Sequence, residues 1–349
     1  MQSEIKIAGR SIGPGHPPYV VAELSANHGS SLDRALETLA AAKAAGAEAV
    51  KLQTYTPDSM TLDVDNPDFV IAGGLWDGRR LYDLYREAQT PYDWHKLLFE
   101  RARELDLTIF STPFDSAAVD FLEQLDAPAY KIASFELIDH ALIARAARTG
   151  KPLIVSTGMA NDGEIAEAVD VAARAGCSQL LLLHCVSGYP TPADQINLRR
   201  IPALAAETGL PVGLSDHTLG VEVAIAAVAL GACLIEKHFT LARANGGPDA
   251  AFSLEPAEFS QLTQGTATAF AALGSGRSTR SEVERANMAF RRSIYVVQDI
   301  KQGEFFTTEN LRAIRPGYGL PPKHLPEVVG RRASHALARG TRLNWDAIE

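Results

Sequence analysis

Short β-branched and apolar runs recur along the chain, separated by alanine-rich stretches with helical spacing. The runs are "YVVAEL" (19–24), "AVKLQTY" (49–55), "TIFSTPF" (108–114) and "AYKIASFE" (129–136), then "PLIVSTG" (152–158), "LLLLHCV" (180–186), "PVGLSDH" (211–217) and "LIEKHFT" (234–240). Between them, stretches such as "LDRALETLAAAKAAGA" (32–47) and "DGEIAEAVDVAARAGC" (162–177) close on the small-residue turn expected at a helix C-terminus. Strands alternating with helices predict parallel βαβ units. Eight such units predict an α/β chain closed into a (β/α)8 TIM barrel, with an open doubly wound sheet as the alternative. A long insertion, roughly residues 56–95, follows the second strand, and long connections at that end of a barrel usually serve a site.

Beyond about residue 280 the alternation stops. Ile300-x-x-Gly303-x-x-Phe306-x4-Leu311 is matched by Leu337-x-x-Gly340-x-x-Leu343-x4-Ile348, so one turn-and-strand unit occurs twice. The expected organisation is a barrel over 1–275, a linker over 276–290 and a small, pseudo-symmetric β-rich module over 291–349.

Composition narrows the function. A formal charge of -9 would repel phosphate backbones, which argues against nucleic acid as a partner but leaves small anions in a locally basic pocket open. Cys177, Cys185 and Cys233 are widely spaced in apolar runs and read as reduced core residues. The longest apolar stretch, 223–235, is too short to span a bilayer, and the N-terminus lacks a signal core, so a soluble cytoplasmic protein is expected.

The strand ends carry the chemistry. They hold Glu23 with Asn27 and His28, Lys51 with Gln53, Thr112, Lys131 with Ser134 and Glu136, and Ser156 with Thr157. Later strands add Ser187 with Tyr189, Ser215 with His217, and Glu236 with His238. Charged groups inside strands are costly unless paired or bound to a ligand. His217 and His238 end adjacent strands in the same phase, which predicts a divalent metal (Mn2+, Mg2+ or Co2+) with coordination positions open for water and substrate. Two hydrogen-bonded core histidines are the alternative. Lys51 and Lys131, with the hydroxyls of Ser134, Ser156, Ser187 and Ser215, suit phosphate or carboxylate oxygens. No P-loop and no strand-anchored G-x-G-x-x-G supports a nucleotide site. His184 reads as a core histidine, and His16, His95, His140, His324 and His335 have no partner signal.

The segments "AELSANHGSSLDRAL", "AVKLQTY", "FSTPF", "YKIASFE", "VSTGM", "YPTP", "GLSDHTLG" and "EKHFTL" resemble, in order, the N-acetylneuraminate synthase family. "RSIYVVQDIKQGE" and "IRPGYG" resemble its C-terminal antifreeze-like module, a β-clip SAF domain. Within the family, "GGLWDGRRLYDLYREAQTPYDWH" looks like the pseudaminic acid branch. The resemblance implies condensation of phosphoenolpyruvate with the open-chain aldehyde of a diacetamido-trideoxyhexose, giving a nonulosonic acid and phosphate. It implies a metal on His217 and His238, Glu23 as base, and Glu236 supporting the metal. Lys51, Thr112, Phe114, Lys131, Ser134, Ser156, Ser187 and Ser215 would surround phosphoenolpyruvate. Gln53, Glu136, Tyr189 and Asp249 would face the sugar, and Arg315 would reach the partner's site in a domain-swapped homodimer. Ser187 stands where sialic acid synthases usually carry asparagine, which weakens plain sialic acid as product. Trp76, Tyr82 and Trp94 of the insertion either wall a 6-deoxy sugar or only pack the insertion down. A legionaminic or N-acetylneuraminic acid synthase keeps the same chemistry. A non-catalytic sugar-binding barrel is the reading from another class.

Overall fold

The computed structural model describes residues 3–349. An antiparallel hairpin comes first, β1 (Ile5–Ile7) and β2 (Arg10–Ile12). Eight strands follow: β3 (Tyr19–Glu23), β4 (Ala49–Thr54), β5 (Thr108–Pro113), β6 (Tyr130–Ile132), β7 (Leu153–Ser156), β8 (Leu180–Cys185), β9 (Val212–Asp216) and β10 (Leu234–His238). All pair in parallel with their neighbours, and β10 closes on β3 with His238 beside Glu23. The expected closed barrel is therefore the fold, and the open sheet is not.

Period-two alternation decides which residues meet. The outward set, among them Val20, Ala22, Val50, Leu52, Leu182 and Ile235, packs on helix residues such as Leu39, Leu98, Phe99 and Ile143. The helices start where local chemistry dictates. Ser31 caps Leu32–Ala44, and Asn161 with Glu164 forms a capping box on Asp162–Arg174. The inward set is apolar low in the barrel, where Tyr19, Val21, Ala49, Phe110, Ala129, Ile154, Leu181 and Leu234 meet Ile5, Ile7 and Ile12 of the hairpin. That hairpin, unread in the sequence, therefore packs its isoleucines into the interior at the strands' N-terminal half. Polar side chains fill the other half. Gly213 lies on the same inward phase, where a β-carbon would fall 2.5 Å from the Leu234 carbonyl oxygen, so no larger residue fits.

The chain divides into two compact units, Met1–Gly274 and Ser275–Glu349. The stretch expected as a linker belongs to the second unit and is partly helical, over Glu282–Ala286, with Ser281 and Glu284 forming a capping box. The segment "SEVE" (281–284) carries this capping-box signature. In this unit β11 (Ser293–Val296) pairs antiparallel with β12 (Leu311–Ile314). Ile300, Phe306, Leu311, Leu337, Leu343 and Ile348, the apolar positions of the repeat, all lie in its core. The two copies bond each other reciprocally. Ile300 and Leu337 exchange both backbone hydrogen bonds at 2.8 Å, Gly303 donates to Ala333 O, and Gly340 donates to Val296 O. Shifting either of the last two bonds by 37 positions, from 303 to 340 and from 296 to 333, generates the other. No helix among the described residues is long and apolar enough to cross a membrane.

Candidate active site

The inward phase brings Glu23, Lys51, Gln53, Thr112, Lys131, Ser156, Ser215, His217, Glu236 and His238 to one end of the barrel, and all but Gln53 are buried. A chain of charges crosses this end. Lys51 Nζ lies 2.8 Å from Glu23 Oε2 and 3.7 Å from Glu236 Oε1, and donates to Thr112 Oγ1 at 3.1 Å. Lys131 Nζ lies 4.0 Å from Glu236 Oε1, which also accepts from Ser215 Oγ at 2.9 Å. Burial opposes the Lys51 charge, but Glu23 and Glu236 outweigh it and hold its pKa above the ordinary value. The two carboxylates separate. Burial, only partly countered by Lys51, raises Glu23, whereas Lys131, Lys51 and Ser215 overcome burial and lower Glu236. Two carboxyl groups pushed apart in this way suit one proton acceptor and one permanent anion.

Lys131 is different. Burial lowers it, and its one hydrogen bond is a 3.2 Å contact to the Ile132 carbonyl. On the neighbouring strand and loop, the Ser156 and Ser187 hydroxyls are buried without a hydrogen-bond partner. Ser134 accepts from the Gly158 amide at 3.2 Å, and a β-carbon at Gly158 would fall 2.5 Å from Ser187 Oγ and 2.8 Å from Ser134 Oγ. These hydroxyls therefore crowd one glycine. Buried donors left without acceptors cost about 1–3 kcal/mol each, so their presence points to an absent acceptor. An anion would satisfy it.

On the other side, Gln53 donates to Glu23 Oε1 and Ser25 Oγ, each at 2.9 Å, and Ser25 donates to Asp249 Oδ2 at 2.5 Å. Asp249 lies 3.9 Å from His238 Nδ1. Tyr189 sits 4.4 Å from the His217 ring and 5.3 Å from Phe252, centroid to centroid. Phe114 is half-buried against Tyr55 at 5.2 Å and packs at the rim. Arg315 is exposed on the second unit.

Glu136 ends a short turn, Ser134–Glu136, with Oε2 buried and unpartnered. Burial raises its carboxyl from 4.5 to about 7, although Lys131 opposes this. A carboxyl that holds its proton better folded than unfolded contributes stability at low pH, and that contribution disappears as pH rises through about 7. Glu136→Gln, permanently neutral, is thus expected to match the wild-type melting temperature near pH 5 and to exceed it near pH 8. Calorimetry that shows a pH-independent difference would refute this.

The histidine rings lie 5.5 Å apart. His217 Nδ1 is 3.0 Å from the Val186 carbonyl, which commits that nitrogen as donor. Burial lowers the ring's pKa, but Cys185 and that carbonyl outweigh burial and raise it, so Nε2 offers a lone pair in the neutral form only. His238 Nδ1 is buried and unpartnered, and burial holds the ring well below its ordinary pKa, in the neutral form a ligand requires. Two imidazoles with free nitrogens therefore fit a divalent ion. No cluster of three or more histidine, cysteine or carboxylate side chains poised for a metal occurs among the described residues. Any further coordination would come from water or substrate.

Some expectations need correction. Cys185 is not in apolar surroundings. It occupies the inward phase of β8, with Sγ 3.8 Å from His217 Nδ1, a position that counting by twos from Leu181 would have revealed. Asn27 braces the Phe239 carbonyl and Ser253, His28 packs edge-on against Trp94 at 5.5 Å, and Thr157 bonds the Leu183 carbonyl, so these three shape loops. His184 is the core histidine expected, bonded to the Ile196 carbonyl at 2.6 Å. His95, without a partner in the sequence pattern, is fully buried and bonded to Thr54 Oγ1 at 2.8 Å. Ser25 gave no signal because it lies beyond the strand, at φ +44°.

Residues 38–278 match the NeuB family, and residues 291–349 match the SAF domain. A pseudaminic acid synthase of Helicobacter pylori is 46% identical over 95% of this chain and 98% of its own. One of Campylobacter jejuni is 44% identical over 93% of this chain and 95% of its own. The crystal structure of an N-acetylneuraminic acid synthetase from Leptospira borgpetersenii in complex with citrate superposes with a TM-score of 0.74 at 32% identity, covering 82% of this chain and 96% of that one. The chain belongs to the NeuB family and carries a C-terminal SAF domain.

Proposed function

We propose that the protein is a transferase that condenses phosphoenolpyruvate with the open-chain aldehyde of 2,4-diacetamido-2,4,6-trideoxyaltrose, giving pseudaminic acid and phosphate. The observation that carries the phosphoenolpyruvate reading is the buried Lys131 beside the unpartnered hydroxyls of Ser156 and Ser187. The choice of sugar is supported by the pseudaminic acid synthases at 44% and 46% identity.

Lys131, Ser134, Ser156 and Ser187 would hold one anionic group of phosphoenolpyruvate, and Lys51, Thr112 and Ser215 the other. Gln53, Tyr189, Asp249 and Glu136 would orient the sugar. The electron pair of the enol double bond forms a carbon–carbon bond to the aldehyde carbon, and the aldehyde oxygen takes a proton to become a hydroxyl. Water adds to the former enol carbon as Glu23 accepts its proton, a role that its raised pKa suits near neutrality. The bond from that carbon to the phosphate oxygen breaks, phosphate leaves, and the remaining hydroxyl collapses to the ketone. His217 and His238 would hold a divalent ion (Mn2+, Mg2+ or Co2+), whose contribution when bound is Lewis-acid polarisation of the aldehyde oxygen, and Glu236 would balance its charge. In a homodimer, Arg315 would act at the site of a second copy.

The test is to incubate the purified protein with phosphoenolpyruvate, Mn2+ and each candidate sugar, following phosphate release and product mass. Turnover of the altro sugar is expected. Turnover of N-acetylmannosamine or the legionaminic precursor in its place would overturn the assignment.

A further inference from the structure

We infer that Trp76 is a specificity-determining residue, forming with Tyr189 an aromatic seat for a methyl-bearing part of the acceptor sugar. Part of the insertion after β4 leaves its apolar side chains in solvent. Leu62, Val64, Val70 and Leu75 are all exposed, at 59%, 38%, 41% and 47%. Trp76, next in the chain to Leu75, does not follow them. It is half-buried, its Nε1 donates to the Pro248 carbonyl at 3.0 Å, and its ring lies 5.6 Å from Tyr189. Pro248 precedes Asp249, and Tyr189 touches the His217 ring, so the indole is fastened to two loops of the site. The other insertion aromatics do something else. Tyr82 reaches Asp58 at 3.3 Å, and Trp94 packs on His28.

The barrel mouth consequently offers two kinds of surface. Lys51, Lys131 and the unpartnered Ser156 come from β4, β6 and β7 themselves. Trp76, Tyr189 and Phe252 come from the insertion and the loops after β8 and β10. A ligand matched to this surface is anionic at one end and carries apolar groups at the other. Polar hydroxyls gain little from aromatic faces, whereas a methyl group removed from water gains roughly what one buried CH2 does. The inference rests on the acceptor reading above and adds which residue enforces it. The methyl group is either that of C6 or that of the 4-acetamido group, and both offer the same chemistry to the rings.

Kinetics of wild type, Trp76→Ala and Trp76→Phe decide the matter. Each would be given the diacetamido-trideoxy sugar, its 6-hydroxy analogue and its 4-hydroxy analogue. The expected result is that Trp76→Ala lowers kcat/KM for the trideoxy sugar about tenfold or more, the scale of one apolar contact in a specificity pocket. KM for phosphoenolpyruvate should stay unchanged, and discrimination against one analogue should collapse, which identifies the methyl group. Trp76→Phe, which keeps a ring but loses the bond to Pro248, should fall between. Discrimination ratios equal to wild type for both analogues would overturn the inference. A rise in KM for phosphoenolpyruvate with unaltered sugar ratios would also overturn it, because that marks a general disturbance of the barrel mouth. Wild type inactive on the trideoxy sugar would instead sink the acceptor assignment itself, and melting temperatures identify a variant that has not folded.

Discussion

Lys131→Met is expected to fold normally and to lose roughly 10²–10³ in kcat/KM, the cost of removing the cation that would pair with a buried substrate anion. The methionine keeps the length of the side chain. Glu236 keeps Ser215 at 2.9 Å and Lys51 at 3.7 Å, so no carboxylate is stranded. What disappears is the cation beside two unpartnered hydroxyls. Most of the loss should appear when phosphoenolpyruvate is varied. Lys51→Met is the contrasting variant, since Glu23 would lose its 2.8 Å counter-charge and the fold itself should suffer. Steady-state kinetics and melting curves on both variants separate the two roles. Lys131→Met activity within fivefold of wild type would show that this lysine does not bind substrate.

The second large effect is on stability. Lys237 Nζ donates to Asp216 Oδ2 at 2.6 Å and to the Thr218 carbonyl at 2.5 Å, and both charged side chains are wholly buried. Asp216 Oδ1 in turn accepts from the Thr218 amide at 2.9 Å and its hydroxyl at 2.8 Å. These two residues precede His217 and His238 on adjacent strands, but by alternation they point out of the barrel while the histidines point in. The ion pair thus joins the ends of β9 and β10 from outside. Lys237→Met leaves Asp216 buried and unpaired and should cost about 3–5 kcal/mol. For a unit of this size, with about 2.1 cal/mol/K of unfolding entropy per residue, that lowers the melting temperature by about 5–9 °C. Replacing both partners, as in Asp216→Leu with Lys237→Met, should recover most of the loss, because an apolar pair carries no stranded charge. Calorimetry on the two variants tests this. A double variant no more stable than Lys237→Met would mean that the Asp216 bonds to Thr218, rather than the charge pair, hold the strand ends.

Much of this architecture was legible because a barrel strand obeys a two-residue period and its polar tail announces the catalytic end. Glu23, Lys51, Lys131, Glu236 and the two histidines could be read from the strand tails. What escaped the sequence did so for physical reasons. β1 and β2 are three residues each, too short for a periodic signal, and only packing reveals that Ile5, Ile7 and Ile12 enter the barrel. Lys237 and Asp216 sit among the same motifs as the histidines, and their partnership follows from register rather than composition. Trp76 and Trp94 look alike along the chain. A tryptophan in a long insertion has no period to fix its direction, so only the fold separates the one at the site from the one against His28.

The repeat in the second unit has a consequence of its own. Beside the turns each copy closes within itself, the bonds that join them run from one copy to the other, as Ile300 with Leu337 and Gly303 with Ala333 demonstrate. Half the unit is therefore not a smaller version of the whole. Cutting the chain between the copies would strip both of these shared bonds and of the core they enclose together, so the module is expected to form or vanish as one cooperative piece.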